Sequence, residues 1–224
     1  MLKKEWILYE DKDILVVYKP AGIAVQNART SQMDLEHMLL NYLAEQTQGS
    51  RQIPYLGIIH RLDQPVEGIL VFARTPAAAA ELNRQMQSGK MDKRYLAVTE
   101  GVPGQTQGIL VDYLKKEGRT NLSRVAAPEE REAKRAELSY HVLNSEDGEA
   151  LVEIHLKTGR HHQIRVQMAH AGTPLAGDRK YGAGNTDAQL CLCAYKLQFQ
   201  HPRTHKKMEF SVRPSNPHFK NLAV

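Results

Sequence analysis

The chain has 224 residues, 42% hydrophobic and 25% charged, enough apolar material to fill a sizeable core and enough charge to cover it. Its +5 formal charge favours a polyanionic partner without requiring one. Only two cysteines, Cys191 and Cys193, two positions apart, exclude a disulfide-built fold, and the N-terminus has neither a signal-peptide pattern nor an apolar run long enough for a membrane span.

No Pro/Ser/Gly-rich linker and no repeat divides the sequence, so one domain over residues 1–224 is expected. Ile7–Glu10 and Ile14–Tyr18 are β-branched, aromatic-rich runs around charged turn residues and read as a hairpin. Between Asp34 and Gln46, Leu35, Met38, Leu39, Tyr42 and Leu43 recur at helical spacing. Ile58-Ile59, the segment to Gly68 and Ile69–Ala73 read as strand, loop, strand. Thr75 then caps a helix that starts on Pro76, and Gly89 ends it.

Strands are expected around Tyr95–Val98, Ile109–Val111, Leu138–Val142, Leu151–His155, Leu190–Phe199 and Met208–Val212. The basic stretch from Lys115 to Arg135, with Gly118 and Pro128, reads as an exposed insertion. His162–Ala171 reads as a helix stopped by Gly172. Strands outnumber helices without strict βαβ alternation. The fold class is therefore α+β: a mixed, largely antiparallel central sheet with flanking helices and loops.

Two stretches concentrate polar chemistry. His60-Arg61-Leu62-Asp63 lies in a loop between strands, where a carboxylate beside an arginine is either a functional group on a rigid frame or an ordinary salt bridge or loop cap. Thr158-Gly159-Arg160-His161-His162-Gln163-Ile164-Arg165 crowds cations around a helix N-terminus, which suits either phosphate binding or a solvated basic turn. Metal-ligand spacing is absent from the ten histidines, so no metal is expected. The Gly182/Gly184 segment fits neither a Walker loop nor a dinucleotide fingerprint, and no serine-hydrolase elbow occurs.

In order, Leu8–Asp11 with Leu15–Gly22, His60–Asp63 with Gly68, Lys93–Ala97, Thr158–Val166 and Pro174–Gly182 resemble the RluA-type pseudouridine synthases over nearly the whole chain. The resemblance implies the pseudouridine synthase catalytic fold and isomerisation of a uridine in structured rRNA or tRNA, without a cofactor. It makes Asp63 the catalytic carboxylate at the ribose, Tyr95 the active-site tyrosine and Arg165 the basic partner of the aspartate. Arg61, His60, Ile164, Arg160 and Lys180 fall to substrate binding, with Arg61 filling the gap left by a flipped base.

Core packing is the alternative for Tyr95 and Ile164, a phosphate contact for Arg165, and positioning of Asp63 for Arg61. Phosphate contacts are also expected from the Lys115–Arg135 stretch. The family pattern starts within about ten residues of Met1, so the basic N-terminal RNA-binding domain common in relatives is expected to be missing. A cytoplasmic monomer is the expectation. Tyr18 stands where the family commonly has asparagine, and Val66-Glu67 where it has Thr-Ser. His161 and Gln167 depart as well. Glu67 is expected to put a negative charge near an RNA-facing loop and narrow substrate choice. Two rivals stand beside this reading: a catalytically silent RNA-binding protein on the same scaffold, and a glycosidic-bond hydrolase that frees uracil.

Overall fold

The structure is a computed structural model that describes residues 2–27, 33–46, 53–118, 120–182 and 188–221. Gly184, and Arg119 within the Lys115–Arg135 stretch, lie outside the described residues. Antiparallel strands dominate an α+β chain, as expected, and they fall into two compact units: Met1–Asp92 with Ala194–Arg213, and Lys93–Cys193 with Pro214–Val224. No described helix is long and apolar enough to cross a membrane.

In the first unit, β1 (Ile7–Glu10) and β2 (Ile14–Lys19) form the expected hairpin. Asp11 makes the turn, its Oδ1 accepting from the backbone N–H groups of Asp13 at 2.8 Å and Ile14 at 2.9 Å. Next to β2 runs β4 (Glu67–Ala73), antiparallel, with Lys19 opposite Gly68 and Ile14 opposite Ala73. All seven residues of β4 are buried, which marks it as the central strand of this unit.

β3 (Gly57–Ile58) pairs with β4, and β10 (Leu192–Gln200) follows β4 in the sheet order, with β11 (Lys207–Ser211) antiparallel to β10. The helix α2 (Pro76–Gln87) begins as the sequence dictates: Thr75 Oγ1 accepts from the Ala78 N–H, and Pro76 opens the first turn. Its Ala78, Ala79 and Leu82 pack with Ile14, Val16, Ile69, Val71, Leu197 and Phe199 in one apolar cluster. The other helix, α1 (Leu35–Gln46), buries Leu35, Leu39 and Leu43.

In the second unit, β5 (Asp92–Glu100), β9 (Glu149–Leu156), β8 (Lys134–Glu146), β6 (Gln107–Glu117) and β7 (Leu122–Val125) lie side by side in that order, all antiparallel. Asp147-Gly148, both at positive φ, link β8 to β9 in a two-residue turn suited to the strand twist.

The Lys115–Arg135 stretch, expected as an exposed insertion, is largely exposed and carries regular structure. β6 runs on to Glu117, turns into β7, and β8 resumes at Lys134. The helix α3 (Gln163–His170) ends at Gly172, whose φ of +83° suits the left-handed stop. Its residues Gln163 to Met168 are all buried, so it is wrapped on every side rather than amphipathic.

Candidate active site

In the first unit the segment between β3 and β4 alternates anchors with presented groups. Leu62 and Val66 are buried, Asp63 between them is half-buried and Arg61 is exposed. Apolar anchors on both sides fix the backbone at Asp63 and leave the residue half-buried. Backbone bonds tighten the loop: the Val66 N–H donates to the Asp63 carbonyl at 3.0 Å, and the Gly22 N–H to the Gln64 carbonyl at 2.8 Å. His60 plays a framework part, since its Nε2 accepts from the Val71 N–H at 3.3 Å, which leaves the ring proton on Nδ1.

Beneath this loop lies Lys19, fully buried at the end of β2. Its ammonium donates to three carbonyls, Pro20 at 3.0 Å, Ile23 at 2.8 Å and Gln64 at 3.2 Å, which uses all three of its protons. Burial pulls its pKa down to about 7, against the opposing pull of the Asp63 and Glu67 carboxylates. Glu67, expected to put a negative charge near an RNA-facing loop, follows the Asp63 loop directly and is buried there. It opens β4, is 1% exposed, and accepts a very short hydrogen bond from the Tyr18 hydroxyl. Two departures from the family pattern, Tyr18 and Glu67, are thus in contact.

The second unit carries the other sequence candidates. Tyr95, on β5 opposite Ile154, is buried, as is Ile164 on α3. Arg165 is buried too. Its Nε donates to Oδ2 of Asp178 at 2.8 Å and its Nη2 to Oδ1 at 2.5 Å, a two-point clamp that fixes the guanidinium plane. Oδ1 of Asp178 also accepts from the backbone N–H groups of Lys180 and Tyr181, and the Arg165 guanidinium lies 5.2 Å from the Tyr181 ring centroid.

His162 begins α3 in the left-handed conformation, φ +54°. Its ring is buried, and desolvation first, then the nearby Arg165, lowers its pKa to about 3, so it is neutral. The Tyr181 oxygen accepts from the Ser123 N–H at 2.8 Å and shares a hydrogen bond with Nδ1 of His162, 2.7 Å away. His161 stacks on His162 with centroids 3.8 Å apart and reaches Ser123 Oγ at 2.8 Å.

Arg160 and Lys180 are exposed, donating to the backbone carbonyls of Arg135 and Asn121. The cations of the Lys115–Arg135 stretch are less available than their number suggests. Lys115 and Arg124 both bind Glu130, Arg124 also binds Glu117, and Arg135 binds Glu137.

Sequence reasoning missed Lys19, Asp178 and Tyr181 as working parts of these constellations. Each sits inside a stretch that carried the family resemblance, but only the fold turns a motif letter into a clamp. Among the described residues one group could bring three donors to a metal: Asp11, Asp13 and His201, with ligand atoms within 4.8 Å of one another. There Arg203 binds Asp13 and His201 binds Asp11, so the group already works as a charged clasp on the β1–β2 turn.

Comparison with known proteins gives concordant matches. The sequence pattern described as RNA pseudouridylate synthase matches residues 13–170. The uncharacterized RNA pseudouridine synthase YlyB of Bacillus subtilis is 37% identical, the match covering 92% of this chain and 68% of that one. The ribosomal large subunit pseudouridine synthase D of Pseudomonas aeruginosa is 35% identical over 91% of this chain and 66% of its own length. Among solved structures, human RNA pseudouridylate synthase domain containing 4 superposes with a TM-score of 0.79 at 25% identity, over 98% of this chain and 94% of that one.

Proposed function

Because the chain belongs to the RNA pseudouridylate synthase family, and so among the enzymes that isomerise uridine in RNA, we propose that it acts on a defined uridine of a structured ribosomal or transfer RNA with Asp63 as the carboxylate at the ribose. The observation that carries this assignment is the setting of Asp63, half-buried between the anchors Leu62 and Val66 and above the tether of Lys19. The name of the Pseudomonas aeruginosa relative favours ribosomal RNA of the large subunit.

In this reading the N1–C1′ bond of uridine breaks, the detached uracil turns, and a C5–C1′ bond forms. N1 gains a proton and C5 loses one, so no redox partner is needed. Asp63 acts either by adding to C1′ or by removing the proton at C2′. The Tyr95 ring packs on uracil and its hydroxyl serves the late deprotonation at C5. Arg165, its plane fixed by Asp178, supplies the positive charge that keeps the reacting carboxylate ionised.

The target base leaves its stack to react. Arg61, exposed beside Asp63, takes its place, and Arg160 and Lys180 contact phosphates. The test is tritium release from RNA labelled at C5 of uracil. Wild-type protein is expected to release it and Asp63→Asn to release none; equal release by both would remove Asp63 from the chemistry. Recovery of free uracil and abasic sites would reject isomerisation in favour of hydrolysis.

A further inference from the structure

Glu67 is a buried carboxylate one residue before Gly68, whose strand partner is Lys19. A buried carboxylate is costly unless something balances it. Two groups answer that need: the hydroxyl of Tyr18, which donates to Oε2, and the buried Lys19, paired on the neighbouring strand with the next residue, Gly68, and acted on electrostatically by both Glu67 and Asp63.

The benefit runs the other way as well. A lysine ammonium with no exposed surface is itself expensive to keep charged, and its burial favours the neutral amine. An amine has two N–H groups where the ammonium has three. On losing a proton, Lys19 would turn a lone pair towards one of the carbonyls of Pro20, Ile23 and Gln64. Gln64 directly follows Asp63, so the tether at stake is the one that holds the carboxylate's own backbone.

We propose that Tyr18 and Glu67 form a positioning pair for the isomerisation: Tyr18 orients Glu67, Glu67 supplies the buried anion that balances Lys19, and Lys19 holds the Asp63 loop in its working shape. This rests on Asp63 being the reacting carboxylate. Against burial, the largest influence on Lys19, the groups that favour its charged form are Asp63 from the loop and Glu67 from β4, with Tyr18 from β2 as the titratable neighbour of Glu67. Glu67 touches no reacting atom in this scheme.

The experiment is single-turnover tritium release, with the full chain in excess over C5-tritiated bulk RNA from cells lacking the gene, run across a series of pH values. Glu67→Gln keeps the volume and a hydrogen-bond acceptor for Tyr18 but removes the charge. Its alkaline limb is expected to move down by about one pH unit, giving a rate about tenfold below wild type on the alkaline side and within about twofold of it on the acid side. The protein concentration for half-maximal rate stays unchanged.

Tyr18→Phe is expected to shift the limb in the same direction by less, and carries the test if Glu67→Gln does not fold. Lys19→Met is expected to be slow throughout and insensitive to a second change at Glu67. A Glu67→Gln rate equal to wild type at every pH, or a loss that acidification does not recover, overturns the proposal. Asp63→Asn separates the two levels: full activity there sinks the underlying assignment, whereas a dead Asp63→Asn beside a pH-independent Glu67→Gln sinks only the positioning pair.

Discussion

Replacing Gly68 with alanine adds one methyl group where the fold has least room for it. Gly68 sits at φ +132°, and a Cβ built there would meet the Ala194 carbonyl oxygen at 2.4 Å and the Ala194 nitrogen at 2.6 Å, both backbone atoms of β10. No side chain can swing aside, so the strands themselves must part by about 1 Å to reach ordinary contact, starting from the roughly 4.8 Å spacing of a ladder. That separation carries about two neighbouring backbone hydrogen bonds out of range at about 0.5–1.5 kcal/mol net each. Forcing a side chain into this dihedral region adds about 1–3 kcal/mol.

The sum is about 2–6 kcal/mol, a large fraction of the roughly 5–15 kcal/mol stability of an ordinary domain. The urea midpoint is expected to fall by about 2 M at a typical slope of about 1–3 kcal/mol per molar. Gly22→Ala is the control. It has positive φ as well, +88°, but nothing within 4 Å of its Cβ, so it bears the dihedral cost alone and its midpoint should fall by about half as much. Equal midpoints for the two variants would refute the close-approach argument.

Asp178→Ala removes the clamp on a buried arginine together with the acceptor of two backbone N–H groups. It is expected to cost about 3 kcal/mol by urea unfolding, whereas Arg165→Met with Asp178→Leu regains much of that loss while remaining inactive in tritium release. Strict additivity of the single changes would contradict the clamp. His162 is held near 3 in the folded chain and returns to its ordinary 6.5 on unfolding. Between those values the unfolded state binds more protons, so stability rises with pH across this window and is lost on acidification. His162→Gln should flatten that slope in urea midpoints between pH 6.5 and about 4; an unchanged slope would mean the histidine is not held neutral.

Most of the fold was legible because its signals are local. The β-branched, aromatic-rich runs of β1 and β2, the Thr75-Pro76 start of α2 and the Gly172 stop of α3 are short-range features that tertiary packing does not override. The exposure of the Lys115–Arg135 stretch was legible, but its strands were not, because charge density hides a strand pattern. In the fold those charges are cross-strand partners, Lys115 and Arg124 meeting at Glu130, and β7 is only four residues long. The burial of Glu67 was not legible for a related reason: its partners Tyr18 and Lys19 are nearly fifty positions away in sequence. Asp178 was visible as a motif letter. Its purpose became legible only with Arg165 thirteen residues earlier in the same fold unit.

The discontinuity of the first unit bears on how the protein is made. β2 and β4 leave the ribosome early, but the strand that follows β4 in the sheet begins at Leu192, and Asp11 meets its partner His201 across 190 residues of chain. At about 5–20 residues per second, the roughly 100 residues between Asp92 and Ala194 take about 5–20 s to synthesise. For that interval one edge of the most apolar strand in the unit is a bare row of amides and carbonyls. The nascent chain is therefore at its most vulnerable to misassociation while the segment bearing Asp63 is already complete but not yet locked in place.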